Sequence, residues 1–261
     1  MNRFKLLTGA RRRKTWRAGV CAVLAFSASA LWAAEQTPCE MMGPGARLQR
    51  VTEVKDGTGL SVLILPGASG LAPFRDAYAA YARALAEIGV QAYLVEYYSE
   101  AEAALMPNPP AGFDYPAHMR CWAQRVSETV TALSKPPYLA RHVALLGFSQ
   151  GARVAVAVAA ANPQVERLAT LYGRLPRDEE RLQTIDRLPP LLNLHGDADR
   201  LVPIEEGRRL VSHALALGSP AEQVQYPGEG HGFDFAQGHA AAEDARRRVL
   251  AFFRAGIPPR P

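Results

Sequence analysis

The sequence predicts an α/β fold in which a mostly parallel, twisted sheet is covered by helices on both faces. From Leu60 onward, short apolar runs alternate with longer amphipathic runs. Several short runs are rich in β-branched and aromatic residues, which is typical of buried strands. Strands that alternate with helices form parallel sheets, because each crossover packs a helix against a sheet face. At 261 residues, the chain fits one domain better than two.

The apolar runs place the individual elements. The predicted strands are Leu60–Leu65, Val90–Val95, His142–Leu146, Leu168–Tyr172, Leu191–Leu194 and Glu222–Tyr226. The predicted helices are Pro73–Ile88, Pro116–Leu133, Gln150–Ala161, Ile204–Leu217 and Ala240–Arg254. Proline suits a first helical turn, and Gly89 and Gly256 favour helix ends. The irregular segment Tyr97–Tyr115 is too short for a large lid domain.

The N-terminus has the pattern of a signal peptide. Basic residues precede the apolar segment Ala18–Phe26, and small residues follow it. Ala28-Ser29-Ala30 offers a cleavage site, with Ala33-Ala34 as a second one, so we expect residues 1–34 to be removed and residues 35–261 to form the mature domain. The expected location is therefore periplasmic or secreted. An uncleaved membrane anchor is the alternative, because the apolar segment is at the short limit for a bilayer span.

The formal net charge of +5 belongs to this N-terminus. Residues 1–30 hold seven basic residues and no acidic one, so the rest of the chain has 23 basic against 25 acidic residues. Such a balance favours no nucleic-acid partner. No stable membrane span is expected once the signal is cleaved.

Export would determine which cysteines remain in the mature chain and whether they can form a disulfide. Cys21 would leave with the signal, and the mature chain would keep Cys39 and Cys121. An even pair in an oxidising compartment favours a disulfide. Two unpaired buried thiols are the alternative, because the sequence does not supply the distance between them.

Residues 147–151 read Gly-Phe-Ser-Gln-Gly, and Ser149 is the candidate nucleophile of this G-x-S-x-G pattern. In the motif, the serine lies on a sharp strand-to-helix turn where neighbouring side chains would clash. A predicted buried strand precedes it and an Ala/Val-rich helix follows it. A structural serine in a tight turn is the alternative.

A serine hydroxyl needs a base to remove its proton, and the base needs an acid to orient it. Asp199 is the predicted acid, because Asp197 lies in the tight turn that leaves the strand and is expected to bond its own backbone. His231 is the predicted base, because its glycine-rich loop can return the ring to the serine. His213 and His239 lie in or at a helix and are expected on the surface. His195 in turn is predicted to be structural.

Two backbone N–H groups are predicted to form an oxyanion hole. One belongs to Gln150, which follows the nucleophile, and the other to Ala68, in the glycine-rich loop after the first strong strand. A turn without a ligand is the alternative for that loop. An open, partly aromatic substrate pocket is predicted from Tyr97, Tyr98, Phe148 and Leu201, with ordinary core or surface positions as the alternative.

Three motifs together resemble the dienelactone hydrolase family of the α/β-hydrolase superfamily. They are residues 147–151, residues 195–203 (His-Gly-Asp-Ala-Asp-Arg-Leu-Val-Pro) and residues 230–233 (Gly-His-Gly-Phe), within a similarity that runs from about Leu60 to Phe253. The resemblance implies an eight-stranded sheet or a near relative of it, no cofactor and small-molecule ester or lactone substrates. The sequence also has no Cys/His spacing typical of a metal site, so no metal is expected. The family's namesakes use a cysteine nucleophile and carry a glutamate in the loop that here reads Gly67-Ala68. The serine therefore favours carboxylesterase chemistry.

The expected reaction is hydrolysis of a small or medium carboxylic ester or lactone through an acyl-enzyme. A histidine base predicts activity that rises through neutral pH. An acyltransferase acting on a cell-envelope alcohol is the main alternative. A peptidase and a non-catalytic binding protein on the same scaffold are the others.

Overall fold

The structure, a computed structural model, describes Cys39, residues 46–55, residues 57–236 and residues 238–257. Its strands are β1 (Arg47–Arg50), β2 (Leu60–Leu65), β3 (Gln91–Glu96), β4 (His142–Phe148), β5 (Val165–Leu171), β6 (Leu191–Gly196) and β7 (Ala221–Tyr226). Its α-helices are α1 (Arg75–Glu87), α2 (Glu100–Leu105), α3 (Tyr115–Leu133), α4 (Gln150–Ala161), α5 (Ile204–Ala216) and α6 (Ala240–Arg254). The predicted signal peptide, residues 1–34, lies outside the described residues.

Within the described residues the strands form one seven-stranded sheet in the order β1-β3-β2-β4-β5-β6-β7. All neighbouring strands are parallel except β1, which pairs antiparallel with β3. The predicted mostly parallel sheet is confirmed, and the described part of the chain contributes one strand fewer than the eight that the resemblance implied. Strand β1 was not predicted, because its sequence Arg-Leu-Gln-Arg is a polar edge strand without an apolar run.

Helices cover both faces of the sheet. Helices α3, α4 and α5 pack on one face and bury a cluster of apolar side chains that includes Trp122 and Val156. Helices α1 and α6 pack on the other, against a cluster that includes Tyr81 and Phe253. The described part of the chain falls within one compact unit, Thr37–Pro261. In the described part, no helix combines the length and apolar character required to cross a bilayer.

Helix α2 is a short element within Tyr97–Tyr115, the segment that the sequence predicts to be irregular. It begins with a capping box, in which Ser99 accepts from the Glu102 N–H and the Glu102 carboxylate accepts from the Ser99 N–H. The buried Glu102 carboxylate also accepts a hydrogen bond from the Trp122 indole at 2.9 Å and pairs with Arg125 at 2.6 Å. These contacts fasten the connection between β3 and α3 to the domain, and this six-residue helix is too small to form a lid.

Cys39 and Cys121 are bonded in the structure, with their Cα atoms 5.2 Å apart. Cys121 is a buried residue of α3. The bridge therefore links Cys39, which precedes β1, to helix α3, 82 positions further along the chain.

The loop after β7 is anchored by a buried carboxylate, Asp234. Tyr81 of α1 and Tyr172, which directly follows β5, each donate a hydrogen bond of 3.0 Å to its oxygens. Burial raises the pKa of Asp234 to about 6, although the two tyrosine hydrogen bonds and the charge of Arg246 act in the opposite direction. These hydrogen bonds thus attach the loop after β7 both to α1 and to the end of β5.

This anchor predicts a specific dependence of stability on pH. Because the folded-state pKa of Asp234 lies above its ordinary value of 3.8, its contribution to stability is fully present below about pH 4 and is lost as pH rises through about 6. We expect Asp234→Asn to remove a decline of up to about 3 kcal/mol in the free energy of unfolding between pH 4 and 7. Urea denaturation at pH 4.5, 5.5 and 7 measures this.

Asp186→Asn is the matched control, because Asp186 is an exposed aspartate. This control should keep the pH dependence of the wild type. If the Asp234→Asn protein also kept it, the buried carboxylate would not be the group that titrates.

Candidate active site

Ser149 lies on the sharp turn between β4 and α4. Its backbone has φ 51° and ψ −114°, an uncommon conformation for a residue other than glycine. Its N–H donates to the carbonyl of Leu171 at 3.0 Å, which holds the turn against the end of β5. Strain of this kind persists only where the surrounding structure over-determines it, and it is concentrated at functional sites.

The two glycines of the motif are required by space. A Cβ at Gly147 would lie 2.6 Å from the Cα of Ala152, and a Cβ at Gly151 would lie 2.3 Å from the carbonyl oxygen of Leu65. Both distances are far below van der Waals contact, and the obstructing atoms are backbone. Gly147 therefore allows the first turn of α4 to lie against the end of β4, and Gly151 allows it to lie against the end of β2.

The structure brings the three predicted residues together at the carboxyl edge of the sheet. His231 Nε2 lies 2.9 Å from Ser149 Oγ, and His231 Nδ1 lies 2.7 Å from Asp199 Oδ2. With its proton on Nδ1, the ring donates to the carboxylate and keeps the Nε2 lone pair for the serine hydroxyl. This arrangement can remove a proton from Ser149.

Asp199 is held as a carboxylate by its hydrogen bonds. Its Oδ1 accepts from the N–H groups of Leu201 at 2.8 Å and Val202 at 2.9 Å. Burial favours the neutral acid, but the hydrogen bonds from His195, His231 and Val202 outweigh burial and hold the pKa of Asp199 well below its usual range. Asp199 is therefore ionised at neutral pH and can orient the imidazole.

The ends of β6 and β7 meet without intervening side chains. A Cβ at Gly196 would lie 2.2 Å from the carbonyl oxygen of Glu229, and this carbonyl accepts a hydrogen bond of 2.9 Å from the Ala198 N–H. Gly232 adopts φ 76°, the left-handed conformation that glycine accommodates best. The loop that carries His231 therefore runs beside the loop that carries Asp199.

Tyr172 is a residue of the site that sequence reasoning missed. Its ring centroid lies 4.3 Å from that of His231, and its hydroxyl donates to Asp234. One side chain thus touches the histidine ring and the buried anchor of the histidine loop. The available signals were the position of Tyr172 at a strand end and an acidic residue in the otherwise apolar sequence Gly-Phe-Asp-Phe.

The two predicted oxyanion donors belong to segments that adjoin Ser149. Gln150 is the first residue of α4, and no side chain of the described residues caps that helix. The loop around Ala68 is also adjacent, because a Cβ at Gly67 would lie 3.5 Å from the Cβ of Ser149. In the described part of the chain, neither the Ala68 nor the Gln150 N–H has a protein acceptor. The oxyanion hole of Ala68 and Gln150 stays a prediction.

The structure corrects half of the predicted substrate pocket. Tyr97 and Phe148 are core residues with 1% and 0% of their surface exposed, so the prediction that they line an open pocket is wrong. Phe148 packs into an aromatic cluster under α1. The Tyr97 hydroxyl donates a hydrogen bond to the Pro66 carbonyl. Tyr98 is also largely buried, whereas Leu201 is 76% exposed beside Asp199.

The remaining candidates have structural partners. Asp197 accepts hydrogen bonds from the Gly228 N–H at 2.7 Å and from the Gln225 side chain at 2.8 Å. Its partners therefore include residues outside its own turn. His195 is fully buried and its Nε2 lies 2.8 Å from the Val202 carbonyl, in agreement with a structural role.

The two other histidines that follow Asp199 have partners other than Ser149. His213 lies 3.1 Å from the Ile185 carbonyl, and His239 is a surface residue near Glu229. Among the described residues, no group of three or more His, Cys, Asp and Glu side chains is placed to hold a metal ion.

Solved structures share this architecture. The esterase PE8 superposes with a TM-score of 0.64 over 82% of this chain and 100% of its own, at 20% identity. An α/β serine hydrolase without lid from Xanthomonas campestris superposes with a TM-score of 0.58 over 84% of this chain and 94% of its own, also at 20% identity. These likenesses show the α/β-hydrolase fold.

Sequence comparison adds the family. A putative carboxymethylenebutenolidase from Escherichia coli is 29% identical over 148 residues, which is 52% of this chain and 51% of that protein. The chain thus aligns with about half the length of this curated relative. The family model described as the dienelactone hydrolase family matches residues 50–256, which include all three motifs of the site. The chain belongs to the dienelactone hydrolase family.

Proposed function

We propose that this protein is an exported serine hydrolase that cleaves a small or medium carboxylic ester or lactone. The observation that carries the proposal is the His231 ring, which hydrogen-bonds Ser149 at 2.9 Å and Asp199 at 2.7 Å at once. The family membership supports ester chemistry, and relatives are named as an esterase and as a putative carboxymethylenebutenolidase. The short helix α2 is the one helix between β3 and α3, so this segment forms no large lid, which supports a small or medium ester rather than a long lipid as substrate.

The proposed reaction is acyl transfer in two steps. His231 accepts the proton of Ser149 as the hydroxyl oxygen attacks the ester carbonyl carbon, and Asp199 stabilises the imidazolium. The N–H groups of Ala68 and Gln150 stabilise the tetrahedral oxyanion. The imidazolium then protonates the leaving alcohol, which leaves an acyl-enzyme on Ser149. A water molecule, deprotonated by His231, attacks the acyl carbon. The bond from that carbon to Ser149 Oγ then breaks, the imidazolium returns its proton to Oγ, and the carboxylic acid is released.

The first prediction concerns the nucleophile. We expect a fluorophosphonate probe to label the wild-type protein on Ser149, and Ser149→Ala to abolish both labelling and hydrolysis of p-nitrophenyl esters, because Ser149 is the hydroxyl of the described residues that hydrogen-bonds the imidazole. Mass spectrometry of the labelled peptide measures this. Ser134→Ala, at the exposed end of α3, is the control and should label normally. Labelling that survives Ser149→Ala would overturn the assignment.

The second prediction separates two neighbouring aspartates. We expect Asp199→Asn to lower kcat about 10³–10⁴-fold, because an amide no longer holds the imidazole in the productive tautomer. Asp197→Asn should stay within a few-fold of wild type, because its partners are the Gly228 N–H and Gln225. Steady-state kinetics from pH 5 to 8 measures both variants, with wild-type activity expected to rise through neutral pH. Equal losses in the two variants would contradict the assignment of the acid.

The export part of the proposal joins the predicted signal peptide to the cysteine pair. Removal of residues 1–34 in a periplasmic or secretory route would place Cys39 and Cys121 in an oxidising compartment. The bonded pair in the structure supports this location, because structural disulfides are rare in reducing compartments.

The third prediction of the proposal is therefore chemical. We expect the exported protein to begin near residues 31–35 and to carry no free thiol until it is reduced, when two thiols per chain appear. Cys39→Ser with Cys121→Ser should lower the free energy of unfolding by about 2–4 kcal/mol, because the bridge closes a long loop in the unfolded chain. N-terminal sequencing, thiol titration under denaturing conditions and urea denaturation measure these effects. Two free thiols in the exported protein would contradict the bridge.

A further inference from the structure

The oxyanion loop, defined here as Pro66–Ala68, is held by tyrosine hydroxyls that reach it from the protein interior. The Tyr97 hydroxyl donates to the Pro66 carbonyl at 2.7 Å. The Tyr78 hydroxyl accepts from the Gly67 N–H at 3.0 Å. Tyr97 directly follows β3 and Tyr78 lies in α1, so the two contacts come from different elements. Each of the two tyrosines has 1% of its surface exposed.

A third tyrosine completes the set. The Tyr98 hydroxyl donates to the Ala68 carbonyl at 3.3 Å and accepts from the side-chain amide of Gln150. Gln150 in turn accepts from the Tyr115 hydroxyl, which accepts from the Arg153 guanidinium. The side chain of Gln150 is therefore part of a hydrogen-bonded chain that reaches the loop, while its own backbone N–H is the other proposed oxyanion donor.

The backbone polar groups of the oxyanion loop are thus almost fully occupied. The Pro66 carbonyl, the Gly67 N–H and the Ala68 carbonyl bind tyrosine hydroxyls, and the Gly67 carbonyl accepts from the Gly70 N–H at 2.9 Å. Proline has no N–H to satisfy. Among the described residues, the Ala68 N–H is the group that keeps no protein partner. Among the described residues, the loop thus offers one unbonded donor next to Ser149, and the start of α4 offers the other, the Gln150 N–H.

The tyrosines suit this task because they stay protonated. Burial raises the pKa of Tyr97 and Tyr98 far above the ordinary value, so both keep the proton that they donate to a carbonyl. Their rings are also packed, since the Tyr97 and Tyr98 centroids lie 4.6 Å apart and the Tyr98 and Trp122 centroids lie 4.9 Å apart. A hydroxyl on a rigid ring holds its partner more firmly than one on a mobile side chain.

We propose that Tyr78, Tyr97 and Tyr98 are positioning residues that hold the oxyanion loop so that the Ala68 N–H faces the oxyanion formed at Ser149. This inference rests on the proposed function. An oxyanion hole stabilises the transition state only if its donors are already oriented, because reorganisation during the reaction would consume the gain. The tyrosines act through the loop and do not react.

The test uses Tyr78→Phe, Tyr97→Phe and Tyr98→Phe, which remove the hydroxyls and keep the rings. We expect kcat per active site for p-nitrophenyl butyrate to fall about 10–100-fold for Tyr97→Phe and Tyr98→Phe, because a loosened donor loses part of an interaction made in the transition state. Tyr78→Phe should lower kcat in the same way, since it leaves the Gly67 N–H without its acceptor. KM should change less than about threefold, because ground-state binding is not altered.

Tyr93→Phe is the matched control. Tyr93 is a buried tyrosine of β3, four positions before Tyr97, and its ring lies against Arg50 rather than the oxyanion loop. It should retain wild-type kcat. Active sites are counted in every variant by stoichiometric fluorophosphonate labelling of Ser149, and thermal unfolding is recorded alongside.

Each outcome decides a separate question. A fall in kcat per labelled site, with KM preserved, supports the positioning role. Tyr97→Phe and Tyr98→Phe proteins that match Tyr93→Phe in kcat overturn it, and so does a loss confined to the fraction of labelled sites or to KM, because a purely structural role would act in that way. A wild-type protein that is not labelled on Ser149 overturns the proposed function, and this inference with it.

Discussion

The site depends on backbone segments that approach one another more closely than side chains would permit. The start of α4 lies against the end of β2, and the loop after β6 lies against the loop after β7. Glycine occupies the contact points, where a Cβ at Gly151 or Gly196 would lie within 2.3 Å of a backbone oxygen. Because the strands are parallel, their carboxyl ends already share one edge of the sheet. The close contacts bring side chains from distant parts of the chain within hydrogen-bonding distance of one another at that edge.

Two buried aspartates near this edge show how environment selects the state of a carboxyl group. Asp199 receives two backbone N–H groups and the His231 ring, and it remains ionised. Asp234 receives two tyrosine hydroxyls in a fully buried position, and burial raises its pKa to about 6. The first orients the histidine, and the second anchors the loop on which the histidine lies. Tyr172 connects Asp234 to the catalytic histidine candidate, because it contacts both the His231 ring and Asp234.

The aromatic residues of the core therefore have two functions. Their rings fill the space between sheet and helices, and their hydroxyls satisfy backbone groups of functional loops. Tyr97 illustrates this point: its ring packs beside Trp122 while its hydroxyl binds the Pro66 carbonyl. A tyrosine combines a large apolar surface with one polar end that needs a partner when it is buried. A loop that offers backbone groups at the edge of the core supplies that partner, as Pro66 does for Tyr97.

The sequence alone determined the fold class, most of the strands and helices, and three residues that the structure brings into contact. These features are local: apolar periodicity defines elements such as β2 and α4, and the motif glycines mark the turns around Ser149 and His231. Strand β1 and helix α2 were missed because a polar edge strand and a six-residue helix carry little periodicity. The burial of Phe148 and Tyr97, the roles of Tyr172 and Asp234, and the partners of the oxyanion loop were decided only by the tertiary structure. Each of these depends on which residue of another element lies opposite, and the spacing of residues along a chain does not contain that information.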